Sequence, residues 1–174
     1  RRRERVEEAP AAISVISKTE IRRESNTNLG DYLKGTKGID FTQSGIDSYN
    51  MTARGFNSSF SSRLLTLTDG RMANVPSLRL TAYNVIPVSF EDVEQIEVVL
   101  GPSSALYGPN AHSGVLNIVT SSPLRNTGTS INIQGSLLAQ NDTDLLKKLT
   151  FRTAHKRGNI GFKVSGVALS GQDW

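Results

Sequence analysis

The sequence predicts an α+β fold in which a small mixed four-stranded sheet with short helices is followed by antiparallel β-strands of a different kind. Three observations carry that expectation. Between Ile96 and Thr120 the chain reads as a strand, a Gly-Pro-opened helical turn, a second Gly-Pro and a closing strand. Asp69-Gly70, set between Leu64–Thr68 and Met72, is the strongest short-range hairpin signal in the chain. After Pro123, apolar and polar residues alternate in segments of about ten residues between polar turns.

Taken in order, Ile13 to Ile16 is a short apolar run, and Ser17 caps a helix from Lys18 to about Glu24 because Glu20 completes a capping box. Leu29, Tyr32 and Leu33 share a helical face that ends at Gly35. Ile39 to Thr42 and Tyr49 to Ala53 read as strands around a Ser44-Gly45 turn, and Phe56 to Ser62, rich in serine and asparagine, as an exposed loop. Leu64 to Thr68 and a strand through Met72 form the hairpin. Asn74 to Pro87 lacks a clean period and holds two prolines, so it reads as a long functional or mobile loop. Ser89 to Asp92 opens a helical turn that leads into the strand at Glu97. Gly101 tolerates unusual backbone angles and Pro102 suits a first helical turn, so the strand stops there. Ser103 to Tyr107 then makes one or two turns before Gly108-Pro109 breaks them, and Val115 to Thr120 returns to the sheet.

The last third differs. Ile131, Ile133, Gly135, Leu137 and Ala139 fall on one strand face and Asn132, Gln134, Ser136 and Gln140 on the other. Leu149, Phe151 and Thr153 oppose Lys148, Thr150 and Arg152; Ile160, Phe162 and Val164 oppose Gly161, Lys163 and Ser165. Asn141–Asp144 and His155–Asn159 read as the turns. Outer-membrane barrel strands alternate in this way, and so do strands of a half-exposed soluble sheet. The period alone favours neither.

A chain of 174 residues has room for one principal domain of the usual ~100 to 200 residues and a smaller appendage. It has no cysteine, which excludes disulfides, thiol catalysis and thiolate metal sites. The net charge of +4 owes much to Arg1, Arg2, Arg3 and Arg5, which read as a solvated tail. No basic strip interleaved with aromatics follows, so nucleic acid is not an expected partner. No apolar run approaches the ~18 residues of a membrane-spanning helix, and no signal peptide opens the chain. A mature fragment or a soluble protein is expected.

Chemistry-bearing residues do not assemble into a catalytic set. Gly101 to Gly114 lacks the Gly-Lys-Ser/Thr ending of a phosphate loop. His112 and His155 stand alone, with no spacing that suits a metal, so neither a cofactor nor a metal site is expected. Ser103, Ser104 and Ser113 near His112 occupy helix-start and turn positions, where capping is the natural role. Glu94 and Glu97, at odd spacing in one strand, point to opposite faces and make no acid/base pair. Arg54, at a strand end before Gly55, has the planar fork that suits a carboxylate.

Within Ile96–Thr120, residues Glu97, Val98, Gly101, Pro102, Ser104, Leu106, Tyr107, Gly108, Ala111, Gly114, Val115, Asn117, Ile118 and Thr120 fit one pattern, E-V-x-x-G-P-x-S-x-L-Y-G-x-x-A-x-x-G-V-I-N-I-x-T. The stretch resembles the end of the plug domain of TonB-dependent outer-membrane receptors. Pro10–Ile21, Leu29–Leu33, Gly38-Ile39, Thr52–Phe56 and Leu67–Arg71 resemble further plug segments in the right order, so the likeness runs from about Pro10 to Pro123. Where the family usually has arginine before the Gly-Pro, this chain has Leu100, so the plug-to-barrel ion pair made there is not implied.

The resemblance implies a linker over 1–9 that follows a TonB-contacting segment, a plug domain over 10–125, and over 126–174 the first strands of a transmembrane β-barrel. Three strands cannot close a barrel in lipid, because the open edges would leave backbone groups unpaired. The chain is therefore expected to be the start of a longer receptor. The implied function is gated, TonB-energised uptake of a scarce ligand such as an iron–siderophore complex at the outer membrane. Its implied partners are TonB, the remaining barrel, lipid and a small molecule. On this sequence the implied ligand face is Phe56, Asn57, Ser58, Ser59, Phe60, Arg79 and Tyr83, and the plug–barrel contacts are Arg54, Glu97 and Tyr107. The alternative is a soluble α+β module that binds a protein or peptide.

Overall fold

The computed structural model describes residues 12–24, 28–45, 48–53, 64–73, 75, 81–83, 86, 88–108, 111–139 and 143–171. Three sheets are formed among them. The largest is mixed and has the order β1-β6-β7-β4-β5: β1 (Ala12–Ser17), β6 (Val93–Leu100), β7 (Gly114–Thr120) and β4 (Leu64–Thr68), with the two-residue β5 (Arg71–Met72) at one edge. β4 and β7 run parallel, and the remaining neighbours are antiparallel. The sheet has five strands where four were expected, counting the short β5 of the expected Asp69-Gly70 hairpin.

Local chemistry sets most of the element ends. Ser17 Oγ accepts from the Glu20 amide at 3.4 Å while the Glu20 carboxylate accepts from the Ser17 amide at 2.7 Å. This reciprocal box starts α1 (Lys18–Arg23). Asp69 and Gly70 both adopt positive φ, 50° and 77°, which is the turn that matches the twist of β4 and β5. The segment read as a helix after Leu29 is a single 3-10 turn, Gly30–Leu33. Gly30 lies under the rings of Phe41 and Tyr49, and a Cβ there would sit 2.1 Å from Phe41 Cε2, so no side chain fits at that position.

β2 (Ile39–Gln43) and β3 (Tyr49–Ala53) form a separate hairpin that packs on the main sheet. Between them, Leu33, Tyr49, Met51, Leu64, Tyr83, Val93, Ile96, Val98, Leu116 and Ile118 are buried together. Leu65, Leu67, Val99, Ala111 and Val115 form a smaller cluster on the other side of the sheet. The central strands β4, β6 and β7 therefore place buried apolar residues on both faces of the sheet. Full burial of each such side chain contributes roughly 1.5–3 kcal/mol.

β8 (Gly128–Ala139), β9 (Thr143–Arg157) and β10 (Ile160–Ser170) form the third sheet, an antiparallel meander. The second turn is tighter than the sequence implies, because β9 extends to Arg157 and Gly158, at φ 62°, turns the chain into β10. In this sheet the usual distribution is inverted. Lys148, Thr150 and Arg152 are only 3–4% exposed, whereas Ile131 is 66%, Ile133 80%, Leu137 69% and Ile160 75% exposed.

Candidate plug–barrel interface

The polar face of β8–β10 lies against the first unit, and one carboxylate organises the contact. Asp92 ends the 3-10 turn Phe90–Asp92, whose geometry is fixed by the Asp92 amide donating to Ser89 O at 2.8 Å. Its side chain is almost fully buried. Arg152 Nε donates to Asp92 Oδ1 at 2.7 Å, and Lys163 Nζ donates to Oδ2 at 2.6 Å. Arg152 also donates to Asn126 O at 2.9 Å, and Lys163 to Thr120 Oγ1 at 2.7 Å and Ser121 O at 3.1 Å. A buried carboxylate is tolerable only when its lone pairs are this well occupied.

Phe90, two residues earlier, extends the contact. Its ring packs against Tyr32 at 5.3 Å between centroids and carries Lys148 Nζ 4.0 Å above it. Beside this pair a cavity of ≈ 90 Å³ lies between the two units, lined by Asn28, Tyr49, Tyr83, Phe90, Lys148 and Leu169 among others. Asn28 Nδ2 is buried there with no hydrogen-bond partner among the described residues.

A second network ties α1 to the sheet. Lys18 Nζ donates to Ser121 Oγ at 3.0 Å, Ser121 Oγ donates to Glu94 Oε2 at 2.6 Å, and Lys18 lies 3.6 Å from Glu94. The Ser121 hydroxyl, the larger influence, and the Lys18 charge hold the Glu94 carboxyl below its ordinary value against the opposing effect of burial.

The signature stretch between β6 and β7 is structural in the same sense. Gly101 and Gly108 take φ of 121° and 97°, Ser103 Oγ donates to Gly101 O, and Ser104 Oγ donates to Ala111 O, both at 3.2 Å. With α2 (Ser104–Tyr107) they close the connection on itself, so these serines serve the turn. Gly114 is required by close approach: a Cβ there would meet Val99 O at 2.6 Å. Leu100 packs over Gly38 and onto the main core.

The expected site residues are distributed as follows. Arg54, Phe56, Asn57, Ser58, Ser59, Phe60 and Arg79 lie outside the described residues. Glu97 is half-buried in the main sheet, where it accepts from Asn117 Nδ2 at 2.8 Å and from Gln95 Nε2. Tyr107 packs against the smaller apolar cluster. Tyr83, expected in an exposed loop, is 7% exposed, stacks on Tyr49 at 5.4 Å and shares a hydrogen bond with Thr66 at 3.2 Å. Burial pushes its hydroxyl up to about 12. Asp92, Lys148, Arg152 and Lys163 were not singled out as a site. The signal was nevertheless present, because the three cations fall on one alternating face of β9 and β10 and Asp92 lies among Glu91, Glu94 and Glu97 in the sequence.

Comparison with known proteins gives the same answer as the geometry. The family model described as TonB-dependent Receptor Plug Domain matches residues 5–115. The vitamin B12 transporter BtuB of Vibrio vulnificus is 34% identical over 162 residues, which is 91% of this chain and 25% of that protein. An iron-regulated outer membrane virulence protein of Vibrio cholerae is 33% identical over 127 residues, 66% of this chain and 18% of that one. The chain thus spans a quarter or less of the length of these curated relatives. Among solved structures, the unliganded ferric citrate transporter FecA superposes with a TM-score of 0.78 at 23% identity over 95% of this chain and 26% of that chain. The siderophore receptor PirA of Pseudomonas aeruginosa gives 0.69 at 25% identity over 95% of this chain and 29% of that one. With the family model covering most of residues 1–115 and a relative above 30% identity along nearly the whole chain, this protein belongs to the TonB-dependent receptor plug family.

Proposed function

We propose that this chain forms the plug, residues 10–125, and the first barrel strands, residues 126–174, of an energy-coupled outer-membrane transporter. One observation carries the reading: β8–β10 turn their charged face onto the plug and their apolar face outward. In water that arrangement wastes apolar burial and costs the desolvation of three cations; in a bilayer the outward face is solvated by acyl chains and the inward face is a plugged lumen. The relatives support a metal chelate as cargo, of the iron–siderophore or cobalamin kind.

In this reading the plug seals the pore, TonB acts on the segment preceding β1, and the sequences 56–60 and 79 face the ligand. Tyr83, held in the core by Thr66 and Tyr49, anchors the chain that leads away from Arg79. In the same reading Arg54 is a further residue proposed for plug-to-barrel contact.

The test is uptake. A strain lacking its own receptors and carrying the full-length gene should accumulate radiolabelled ferric siderophore or cobalamin, and deletion of tonB should abolish the gain. Recovery of the full-length protein in the soluble periplasmic fraction, or uptake indifferent to tonB, would refute the reading.

A further inference from the structure

The β4–β5 turn does more than reverse the chain. β4 and β7 run parallel with Thr68 opposite Ile118, so the residue that follows β4 falls beside the end of β7. There the Asp69 amide donates to Ile118 O at 2.9 Å, and one residue occupies both carboxylate oxygens. Oδ1 accepts from the Thr120 amide at 2.8 Å, and Oδ2 accepts from the Thr120 hydroxyl at 2.7 Å. The same hydroxyl oxygen accepts from Lys163 Nζ of β10 at 2.7 Å. Asp69 thus meets Lys163 through a single oxygen atom, although the two belong to different sheets.

The sense of this relay is fixed at both ends. An ionised carboxylate only accepts and an ammonium only donates, so the one proton of the Thr120 hydroxyl points to Asp69 and a lone pair points to Lys163. Donation to an anion also makes the hydroxyl oxygen a better acceptor. Without the carboxylate the hydroxyl is free to rotate, and its proton can swing toward the amine. The remaining protons of Lys163 go to Asp92 Oδ2 at 2.6 Å and to Ser121 O at 3.1 Å, so three donors meet three acceptors. The charges match as well. Arg152 and Lys163 bring two cations to the contact, Asp92 answers both with one carboxylate, and Asp69 supplies the second. Asp69 is itself exposed, so it acts by orienting the hydroxyl more than by direct attraction.

We propose that Asp69 is a positioning residue of the plug–barrel contact, acting on Lys163 through the Thr120 hydroxyl and so tying the exposed β4–β5 turn to β10. The inference rests on the plug–barrel reading above and adds to it a point of control. Whatever displaces the Asp69 carboxylate from Thr120 loosens the hold on Lys163 without touching the buried Asp92–Arg152 pair. The turn residue is therefore selected twice: its backbone must accept a φ of 50°, and its side chain must be an anion that reaches Thr120.

The test follows acetylation of Lys163 by an amine-reactive N-hydroxysuccinimide ester in the full-length protein, read by peptide mass spectrometry. Exposed Lys37 is the internal reference, and buried Lys148 reports any general opening of the contact. D69N keeps the side-chain shape and a residue type that tolerates positive φ. It should speed Lys163 labelling about tenfold, the effect of losing one hydrogen bond to a charged group at a part-exposed site. T120V, which keeps the shape but has no hydroxyl, should do the same, and T120S should keep the wild-type rate. D69N combined with T120V should label no faster than T120V alone, because Asp69 acts through that hydroxyl. Unchanged labelling in D69N, additive effects in the double variant, or labelling of Lys148 together with Lys163 would overturn the relay and leave the Asp92 contact standing. Lys163 labelled in wild type as fast as Lys37 would mean that β10 does not rest on the plug, and would overturn the plug–barrel contact as well.

Discussion

Replacing Asp92 by asparagine keeps the shape of the interface and removes one charge from its centre. Arg152, 4% exposed by side chain, then loses the anion 2.7 Å from its Nε. Breaking a buried pair from one side costs about 3–5 kcal/mol, because the remaining charge is buried without compensation. Lys163 adds less, since its side chain is 27% exposed and water can replace the carboxylate. At about 1.4 kcal/mol per tenfold, the loss should raise the population of locally opened states by roughly two to three and a half decades. The measurement is hydrogen exchange in the full-length protein, following the amides of Asp92 and Ser121, both of which donate across this turn, to Ser89 O and Asp92 O respectively. A double variant, D92N with R152M, should recover most of the protection, because an apolar side chain carries no desolvation debt. Protection unchanged within about tenfold in D92N, or no recovery in the double variant, would refute the claim that a charge cluster fixes the plug to the wall.

Three further perturbations follow from the same coordinates. G114A forces a Cβ to within 2.6 Å of Val99 O, so β6 and β7 must separate, and it should lower the denaturation midpoint by the equivalent of about 1–3 kcal/mol. Y83F leaves the buried Thr66 hydroxyl without that partner, at about 1–3 kcal/mol. Absorbance titration of wild type should show one tyrosine ionising near 12 that is missing in Y83F. Because this pKa is raised above 10, its value in the unfolded chain, the associated stability is present below pH 10 and is lost as pH rises towards 12. Glu94 has the opposite sign: its folded pKa lies below 4.5, so the Lys18–Glu94–Ser121 tie is present above pH 4.5 and is lost as pH falls through the folded value. The midpoint difference between wild type and E94Q should therefore shrink to zero on the acid side.

Much of this architecture is written in short-range sequence. The capping box at Ser17, the positive-φ turn at Asp69-Gly70 and the Gly-Pro connection between β6 and β7 each arise from contacts within a few residues, so residue type and spacing determine them. The alternation of β9 and β10 likewise separates Lys148, Arg152 and Lys163 from Leu149, Phe151 and Phe162 before any fold is known. What the alternation leaves open is which face is covered, because strand period is indifferent to the surroundings. Only the tertiary structure decided that, by bringing Asp92 to Arg152 across 60 positions and to Lys163 across 71. It also moved Tyr83 from an expected loop surface into the core, where Thr66 and Tyr49 supply a partner and a stacking face that no local pattern announces. Local geometry fixes elements because its contacts need no chain closure; the buried charge cluster depends on packing two sheets against each other, and only that packing removes the water that would otherwise solvate each of its members.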